Sequence, residues 1–488
     1  MSPTVLSSEE KSEGDVAIEQ VISSSSSLRV RNRRRCPEFT PVVMAAGCGS
    51  QMFELAEHTP KCMIPLGNTP MIWFSIDYLI QHKFEEIFIV VRRGAKDKID
   101  GFLTTQIRKQ NIEVLIEYIC IDDDADVGTA DSLRLVAPKT KSDLLVISSD
   151  LITRVSLHDI ATVHRANNAA LTALIAPRYS PPTPDGRKKR NKKDDRDFMG
   201  LDPRDDRILF ISNEKDIESE LVIKRGQLME FPHMRLHTNL IDCHLYLVSR
   251  TALGILEAHP DVSMMKCELL PLLVRKQIKQ IVNTDTVFDD RIYSIKENQD
   301  DEMKPEKYIF DILCESESVG CYVHQSDKFT LRVNQLHNYT KYNKAVVENM
   351  EDVLLPSDPE SCEISKMTQI GKCSRVGSGV KVAEKCSFKR SFLGDNVVVG
   401  AHCKIVDCVI MNDVRVEDNV TLTNCIVCSD VVIRAGATLK DCRVCDGKEV
   451  KSGSEFIGET LATEEIQNMM SFSISNSECS SDNDELAK

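Results

Sequence analysis

The sequence predicts an α/β protein in two structured parts: a Rossmann-like domain, then a left-handed parallel β-helix of hexapeptide repeats. Three observations support this prediction. Apolar residues recur with a step of six between 364 and 456. Apolar strands alternate with amphipathic helices between 38 and 282, and a glycine-rich turn follows the first of these strands. Such alternation is typical of a sheet covered by helices on both faces.

The repeat between 364 and 456 has a full period of 17 residues, because one residue is dropped at every third step from 393 on. A helix needs a period of 3.6 and a strand a period of 2, so neither explains it. Groups of three hexads are typical of a triangular β-helix with one hexad per face. The apolar positions are Ile364, Ile370, Val376, Val382, Phe388, Leu393, Val399, Ile405, Ile410, Val416, Leu422, Val427, Ile433, Leu439, Val444, Val450 and Phe456.

Two C-x-x-C pairs in the repeat, Cys425 with Cys428 and Cys442 with Cys445, have the form of a zinc site. The repeat offers another explanation, because Cys408, Cys425 and Cys442 are 17 residues apart and occupy one position on successive coils. Each lies two residues before a core apolar residue and should share its inward face. We therefore favour a buried column of thiols and predict no metal.

The composition excludes several classes of function. A net charge of −14 argues against a general nucleic-acid binder, and the single Trp does not suggest a base-stacking surface. The sequence contains no run of about 18 apolar residues, so it predicts no membrane span. With 18 cysteines and no recognisable signal peptide, we expect a reducing intracellular compartment.

Segments without apolar periodicity flank and separate the structured parts, and such segments cannot bury enough apolar surface to fold alone. We expect a disordered tail over 1–37, the α/β domain over 38–282 with a flexible basic insertion over 178–197, a linker region over 283–360, the β-helix over 361–458, and a disordered acidic tail over 459–488.

Within the α/β domain, a strand at 41–46 runs into a glycine-rich loop with Gly47, Gly49 and Ser50. Backbone N–H groups exposed in such a turn suit phosphate, and Lys61 can add a positive charge to the same phosphates. The other predicted strands are 86–91, 113–119, 144–150, 171–176, 207–212 and 242–248, and the predicted helices are 70–82, 96–109, 128–136, 158–167 and 265–276.

Asp150 ends the strand at 144–150. Ligands of parallel α/β sheets bind at the carboxyl ends of strands, where the glycine loop also falls. Asp150 is therefore a candidate Mg²⁺ ligand. An aspartate after a strand is also a common turn or N-cap residue, which is the simpler explanation.

This combination resembles the sugar-phosphate nucleotidyltransferases, whose signature is a glycine-rich loop, usually followed by Arg, and a later Pro-Lys pair. Gly128 and Thr129 resemble the base-contacting loop of that family, and Asp150 matches the first of its two metal carboxylates. A closer resemblance is to the gamma subunits of eukaryotic translation initiation factor 2B, a non-enzymatic branch. It rests on the segments 122–134, 150–153, 196–202, 220–224, 237–246 and 321–324.

The resemblance implies a cytosolic, non-catalytic subunit of a decameric guanine-nucleotide exchange complex. It implies the epsilon subunit as the chief partner among the other subunits, and initiation factor 2 as the substrate of the complex. It implies no direct contact with nucleic acid or membrane. It also implies no resident cofactor, although residual nucleotide binding stays a hypothesis.

The sequence departs from the enzymes of the family. The family's Arg after the glycine loop is Gln51 here, and an amide cannot replace a charged fork on a triphosphate. Transfer chemistry needs two carboxylates around a metal, and only Asp150 is evident. The segment 214–216 resembles the family's sugar-site motif only loosely. We therefore predict no catalytic residue, and a vestigial nucleotide site formed by Gly47, Gly49, Ser50, Lys61, Gly128, Thr129 and Asp150.

Two alternative functions stay open. An active sugar-1-phosphate guanylyltransferase is favoured by Lys61, Asp150 and the shared architecture, and opposed by Gln51. A hexapeptide-repeat acyltransferase would need a catalytic His on the β-helix, where His402 is the only one.

Overall fold

A seven-stranded sheet forms the centre of the first part, in the strand order β13-β8-β12-β6-β1-β4-β5. The computed structural model describes residues 37–178 except 48, 57 and 58, then 196–214, 217, 221, 223, 225–284, 319–356 and 361–462. The strands before the β-helix are β1 Phe39–Met44, β2 Pro65–Leu66, β3 Thr69–Pro70, β4 Glu86–Arg92, β5 Leu115–Ile121, β6 Asp143–Ser148, β7 Leu151–Thr153, β8 Leu171–Pro177, β9 Asp197–Leu201, β10 Ile208–Asn213, β11 Arg235–His237, β12 Leu240–Val248, β13 Cys321–Gln325 and β14 Thr330–Arg332.

The sheet is mixed. The alternation of apolar strands and helices in the sequence suggests a wholly parallel sheet, and this expectation is wrong for β12. Strands β6, β1, β4 and β5 are parallel, whereas β12 is antiparallel to both β6 and β8. The reason is that β12 begins beside the end of β8, with Leu240 opposite Pro177, after the chain has passed through the separate three-stranded antiparallel sheet β10-β9-β11. A bulge in β12 places His244 at a φ of 54°.

Helices cover both faces of the sheet, and a buried apolar cluster lies on each side of it. The apolar spacing of the helices predicted from the sequence is thereby explained. The helices are α1 Phe53–Ala56, α2 Met71–Gln81, α3 Lys96–Lys109, α4 Thr129–Val136, α5 Leu157–Ala166, α6 Arg225–Glu230, α7 Arg250–Ala258, α8 Leu270–Thr284 and α9 Tyr339–Asn349. A turn of π-helix, Met265–Leu269, precedes α8.

Residues 319–356, which are the described portion of the predicted linker region 283–360 apart from the end of α8, belong to the first part instead. Strand β13 extends the main sheet in parallel to β8, and β14 pairs with β7. The apolar core of α9 packs into the same cluster as α2. Strands this short give no periodic signal, which is why the sequence places the end of the domain too early.

The second part consists of stacked coils with three faces, each a parallel sheet of six strands. The predicted repeat is confirmed by the strand register, since Leu393 pairs with Ile410 and Ile410 with Val427. Its strands are β15 Glu363–Ile364, β16 Gln369–Ile370, β17 Arg375–Val376, β18 Lys381–Val382, β19 Ser387–Lys389, β20 Phe392–Leu393, β21 Val398–Val399, β22 Lys404–Val406, β23 Val409–Ile410, β24 Arg415–Val416, β25 Thr421–Thr423, β26 Ile426–Val427, β27 Val432–Ile433, β28 Thr438–Lys440, β29 Arg443–Val444, β30 Glu449–Val450, β31 Glu455–Ile457 and β32 Thr460–Leu461.

The thiols of the repeat form the predicted column. Cys408, Cys425 and Cys442 are buried inside the coils, and the Cys425 backbone N–H donates to Cys408 Sγ at 3.4 Å. Cys428 instead belongs to the core shared with the α/β part. The two thiols of this C-x-x-C pair therefore lie on opposite sides of the coil wall and cannot share a metal.

One face of the coils packs directly on the α/β part. Phe392, Val409 and Ile426 are buried in the same apolar cluster as Met52 and Leu66. Asn68 Nδ2 donates to the carbonyl of Leu393 at 2.6 Å.

The tails predicted over 1–37 and 459–488 lie outside the described residues, apart from Pro37 and residues 459–462, and so does nearly all of the basic insertion at 178–197. Among the helices that are described, none is long and apolar enough to cross a membrane.

Candidate functional site

The glycine loop and Asp150 lie side by side at the carboxyl edge of the sheet, as the sequence predicts. Strands β1 and β6 are parallel neighbours with Met44 opposite Ser148, and the N–H of Ser149 donates to the carbonyl of Met44 at 3.1 Å. Gly47 and Asp150 therefore follow adjacent strands. This edge is where α/β sheets of this type bind ligands.

The glycine loop leads into a short helical segment that packs on the β-helix. Gly47 is exposed with open space around it, and Gly49 has a φ of 72°, a conformation that favours glycine. A 3-10 turn begins at Ser50, where the Met52 N–H donates to the Gly49 carbonyl at 2.8 Å. Gln51 is exposed.

Lys61 and Asp150, the two charged residues of the predicted site, form an ion pair with each other. Lys61 Nζ lies 2.6 Å from Asp150 Oδ2, and the Asp150 side chain is only 2% exposed. Ser148 Oγ donates to the other carboxylate oxygen at 2.6 Å. The positive charge expected to meet phosphate is thus already neutralised by a side chain of this protein.

A second cation, Arg332, completes the surroundings of Asp150. Its Nε lies 3.5 Å from Asp150 Oδ1, and β14 brings it there by pairing with β7. Burial raises the pKa of Asp150, but Lys61 and Arg332 more than offset this and hold it well below its usual range. The carboxyl is ionised and enclosed by donors, so its oxygens do not fit the role of Mg²⁺ ligands.

Two further buried carboxylates lie near this pair. Asp242 is 2% exposed and accepts hydrogen bonds from the Tyr246 hydroxyl and the His244 N–H, and burial raises its pKa. Asp197 accepts from Lys266 Nζ at 2.7 and 2.9 Å. Burial also lowers the pKa of His244 well below its usual value, which keeps the imidazole neutral.

Taken together, the Asp150, Asp242 and Asp197 carboxylates are matched in number by Lys61, Arg332 and Lys266. Within the described parts of the chain, no group of three or more His, Cys, Asp or Glu residues is placed to hold a metal ion. The arrangement is a polar cluster whose charges are paired with one another, rather than an open set of ligands.

The predicted base-contacting loop, Gly128 and Thr129, is covered by another segment of the chain. The Ser263 carbonyl accepts from the Ala130 N–H at 2.8 Å, at the start of α4. Thr129 Oγ1 accepts from the Met265 N–H at 2.9 Å. A Cβ on Gly128 would overlap the Ser263 carbonyl oxygen. The helix N-terminus is therefore occupied from within.

Arg92 connects the residue before the glycine loop to the segment that follows β5 at this edge of the sheet. Its Nε donates to the carbonyl of Ala46, just before the glycine loop, at 3.2 Å, and its Nη1 donates to the carbonyl of Asp123 at 2.5 Å. The sequence gives no sign of the roles of Arg92, Ser263 and Arg332. Their contacts depend on pairings between segments far apart in the chain.

The fold and this edge of the sheet define a class: a nucleotidyltransferase-type α/β domain joined to a left-handed β-helix. Residues 40–186 match the family model described as Nucleotidyl transferase. Residues 358–456 match the model described as EIF2B subunit epsilon LbH domain. The predicted fold class is thereby confirmed.

The curated relatives are more specific, and they confirm the resemblance to gamma subunits. Translation initiation factor eIF2B subunit gamma of Caenorhabditis elegans is 29% identical over 243 residues, covering 50% of this chain and 59% of that protein. The protein of the same name from Dictyostelium discoideum is 25% identical over 395 residues, covering 73% of this chain and 87% of that protein. Mannose-1-phosphate guanyltransferase of Candida albicans is 24% identical over 247 residues, covering 50% of this chain and 58% of that protein.

Proposed function

We propose that this chain is the gamma-type subunit of a translation initiation factor 2B complex and does not itself catalyse nucleotidyl transfer. The absence of nucleotidyl transfer is proposed from one observation, the ion pair between Lys61 and Asp150. The assignment as a gamma-type subunit rests on the named relatives, above all the match that covers 87% of the Dictyostelium protein.

The polar cluster supports a non-catalytic role on physical grounds. Phosphoryl and nucleotidyl transfer depend on cations placed at the phosphates and on carboxylates free to hold a metal. Here Lys61 and Arg332 face Asp150, and Gln51 replaces the cation usual after the glycine loop. Substrate binding would have to break a buried ion pair, at a cost of several kcal/mol.

The assembly proposed for the chain follows its relatives. The partners would be the other subunits of the exchange complex, chiefly epsilon, as the resemblance to gamma subunits implies. The complex would be a cytosolic decamer that acts on initiation factor 2, exchanging its GDP for GTP. This chain would contribute to assembly, while epsilon carries the exchange activity.

The proposal is tested by capturing the full chain with an affinity tag from cytosol of its own source, followed by mass spectrometry and a GDP-release assay on initiation factor 2. We expect co-purification of the other exchange-factor subunits and GDP release by the captured complex, with little release by the isolated chain. Capture of the chain without those subunits would refute the proposal.

The guanylyltransferase alternative has one observation in its favour, the similarity to mannose-1-phosphate guanyltransferase. It predicts that the isolated chain releases pyrophosphate from GTP and a sugar 1-phosphate in the presence of Mg²⁺. We expect no such release. Turnover that disappears in the Lys61→Ala variant would establish the enzyme instead.

A further inference from the structure

One of the three faces of the β-helix presents lysines and hydroxyl groups at its surface. It is the six-stranded sheet β16-β19-β22-β25-β28-β31, which we call the open face. The central residues of its strands point inward, since Phe388, Ile405 and Leu422 are buried in the core of the coils. The residues on either side of them therefore point outward, because side chains alternate along a strand.

The outward positions of the open face form two columns, in which each residue lies beside its partner from the neighbouring coil. Over the first five of the described coils no carboxylate occupies either column, and Glu455 in the sixth coil is the first. The first column holds Gln369, Ser387, Lys404, Thr421 and Thr438. The second column, which begins one coil later, holds Lys389, Val406, Thr423 and Lys440.

Three lysines give the open face its positive charge. Lys389, Lys404 and Lys440 are all exposed. Within the residues that the structure describes, none of their ammonium groups has an ion-pair partner or a hydrogen-bond acceptor. Neighbouring coils lie about 4.8 Å apart, so the three coil steps from Lys389 to Lys440 cover about 14 Å. The open face is thus positive over about this length of the coil axis.

Carboxylates at the two corners of the open face are engaged within the coils. At one corner, Asp407 accepts from Arg390 Nε and Nη2 at 2.5 and 2.6 Å. At the other corner, Asp418 accepts from the backbone N–H of Ala401 at 2.6 Å. These carboxylates bind groups of their own corners rather than the lysines of the open face.

The other two faces of the coils differ from the open face. The sheet β17-β20-β23-β26-β29-β32 packs on the α/β part through Phe392, Val409 and Ile426. The sheet β15-β18-β21-β24-β27-β30 carries both signs of charge, and its Lys381 pairs with Glu363 at 3.1 Å. The lysines of the open face are therefore better placed than these residues to meet an anion from outside.

The open face favours an acidic protein segment over a nucleic acid. The whole chain has a net charge of −14, which repels a long polyanion, whereas a short segment feels chiefly the charges within a Debye length of about 8 Å. Three lysines separated by threonines give few contacts to a phosphate backbone. The outward positions named above also include no aromatic side chain on which a base could stack.

We propose that the open face binds an extended acidic segment of a partner protein, with its carboxylates on Lys389, Lys404 and Lys440. Side chains on one side of an extended segment recur about every 6.8 Å, so acidic residues four positions apart span the distance from Lys389 to Lys440. Threonine hydroxyls between the lysines can donate to the backbone carbonyls of such a segment. In the proposed complex the partner is another subunit; its identity rests on the proposed function, whereas the charge recognition does not.

Binding of a fluorescent deca-glutamate peptide to the isolated full chain tests the charge recognition. We expect binding at low ionic strength that weakens as salt is added, and a loss of affinity of about tenfold or more in Lys404→Glu/Lys440→Glu. The matched control, Arg415→Glu/Lys451→Glu, reverses two exposed cations elsewhere on the coils and should lose less than about twofold.

Both variants should keep the thermal midpoint of the unaltered chain, because all four substituted side chains are exposed. Three results of the titration would overturn the proposal: no binding of the peptide, an equal loss of affinity in both variants, or tighter binding of an oligothymidylate of the same length. The last result would assign the open face to a nucleic acid.

Carbodiimide coupling of amines to carboxylates, in the complex captured from cytosol, tests the partner. Mass spectrometry should find Lys389, Lys404 or Lys440 linked to an aspartate or glutamate of another subunit. Links of these lysines only to carboxylates of this chain, or an absence of links from all three, would overturn the proposal. Capture without any other subunit would instead refute the proposed function, and the peptide titration would still decide the charge recognition.

Discussion

Arg443 of the β-helix and Glu54 of helix α1 form an ion pair across the junction of the two parts, with Nη1 3.1 Å from Oε1. Cys428 Sγ contacts the carbonyl of the same Glu54 at 3.6 Å. The segment that follows the glycine loop is thereby held by the coils. A double-mutant cycle with Glu54→Gln and Arg443→Gln should give a coupling energy of about 0.5–1 kcal/mol, because both side chains are partly exposed. Urea unfolding measures it, and additive single effects would contradict the prediction.

Loss of the Asp150 carboxylate should strongly destabilise the protein. In Asp150→Asn, the Lys61 and Arg332 cations lose their buried partner, so we expect the free energy of unfolding to fall by about 3–5 kcal/mol. The matched control is Asp159→Asn, which removes an exposed pair with Lys328 and should cost less than about 1 kcal/mol. Denaturant titration compares the two, and equal losses would show that the cluster is not structural.

Because Ser263 covers the start of α4, Gly128 should tolerate substitution by alanine less well than Gly47. Gly128→Ala places a methyl group against the Ser263 carbonyl and should cost about 1–3 kcal/mol of stability. Gly47→Ala meets open space and should change stability by no more than about 0.5 kcal/mol. Thermal unfolding of both variants checks this. A greater loss of stability in Gly47→Ala than in Gly128→Ala would indicate that the glycine loop is more constrained than the start of α4.

Nucleotide should not stabilise the isolated chain. A ligand present at 100 times its Kd raises the free energy of unfolding by about 2.7 kcal/mol, which is readily detected. Because Lys61 is held by Asp150, we expect no shift of the thermal midpoint with GTP and Mg²⁺. A shift that is absent in Lys61→Ala would restore residual nucleotide binding at the predicted residues.

Asp77 on α2 should make stability depend on pH. Burial raises its pKa from 3.8 to about 6, with smaller effects of Gln81, Asp352 and Arg154. Between these two values the folded state keeps a proton that the unfolded state has lost, so Asp77 makes stability fall as the pH rises. Unfolding at a series of pH values should show the free energy of unfolding of Asp77→Asn rising relative to that of the unaltered chain from pH 3.8 to about 6. A constant difference would contradict the assigned shift.

The β-helix could be predicted almost residue by residue, because each inward position of a stacked coil must be apolar and the 17-residue step is visible in the chain. The glycine loop and Asp150 could also be placed at one sheet edge from strand order alone. The partners of Asp150 could not, because Arg332 lies 182 residues away and arrives on a three-residue strand. The antiparallel direction of β12 was missed for a similar reason. It depends on the small sheet β10-β9-β11, whose strands have no marked alternation.

The attachment of the coils to the α/β part has a consequence for how the molecule comes apart. A stack of coils behaves as a one-dimensional chain of nearest-neighbour contacts, which opens most easily at its two ends. The coils are held from the side along most of the stack, from the hydrogen bond of Arg375 Nη2 to the Leu355 carbonyl in the first coil to the ion pair of Arg443 with Glu54 in the fifth. Unzipping that begins at either end therefore stops at the first coil that is bound to the α/β part, and the β-helix cannot unravel completely while the α/β part stays folded.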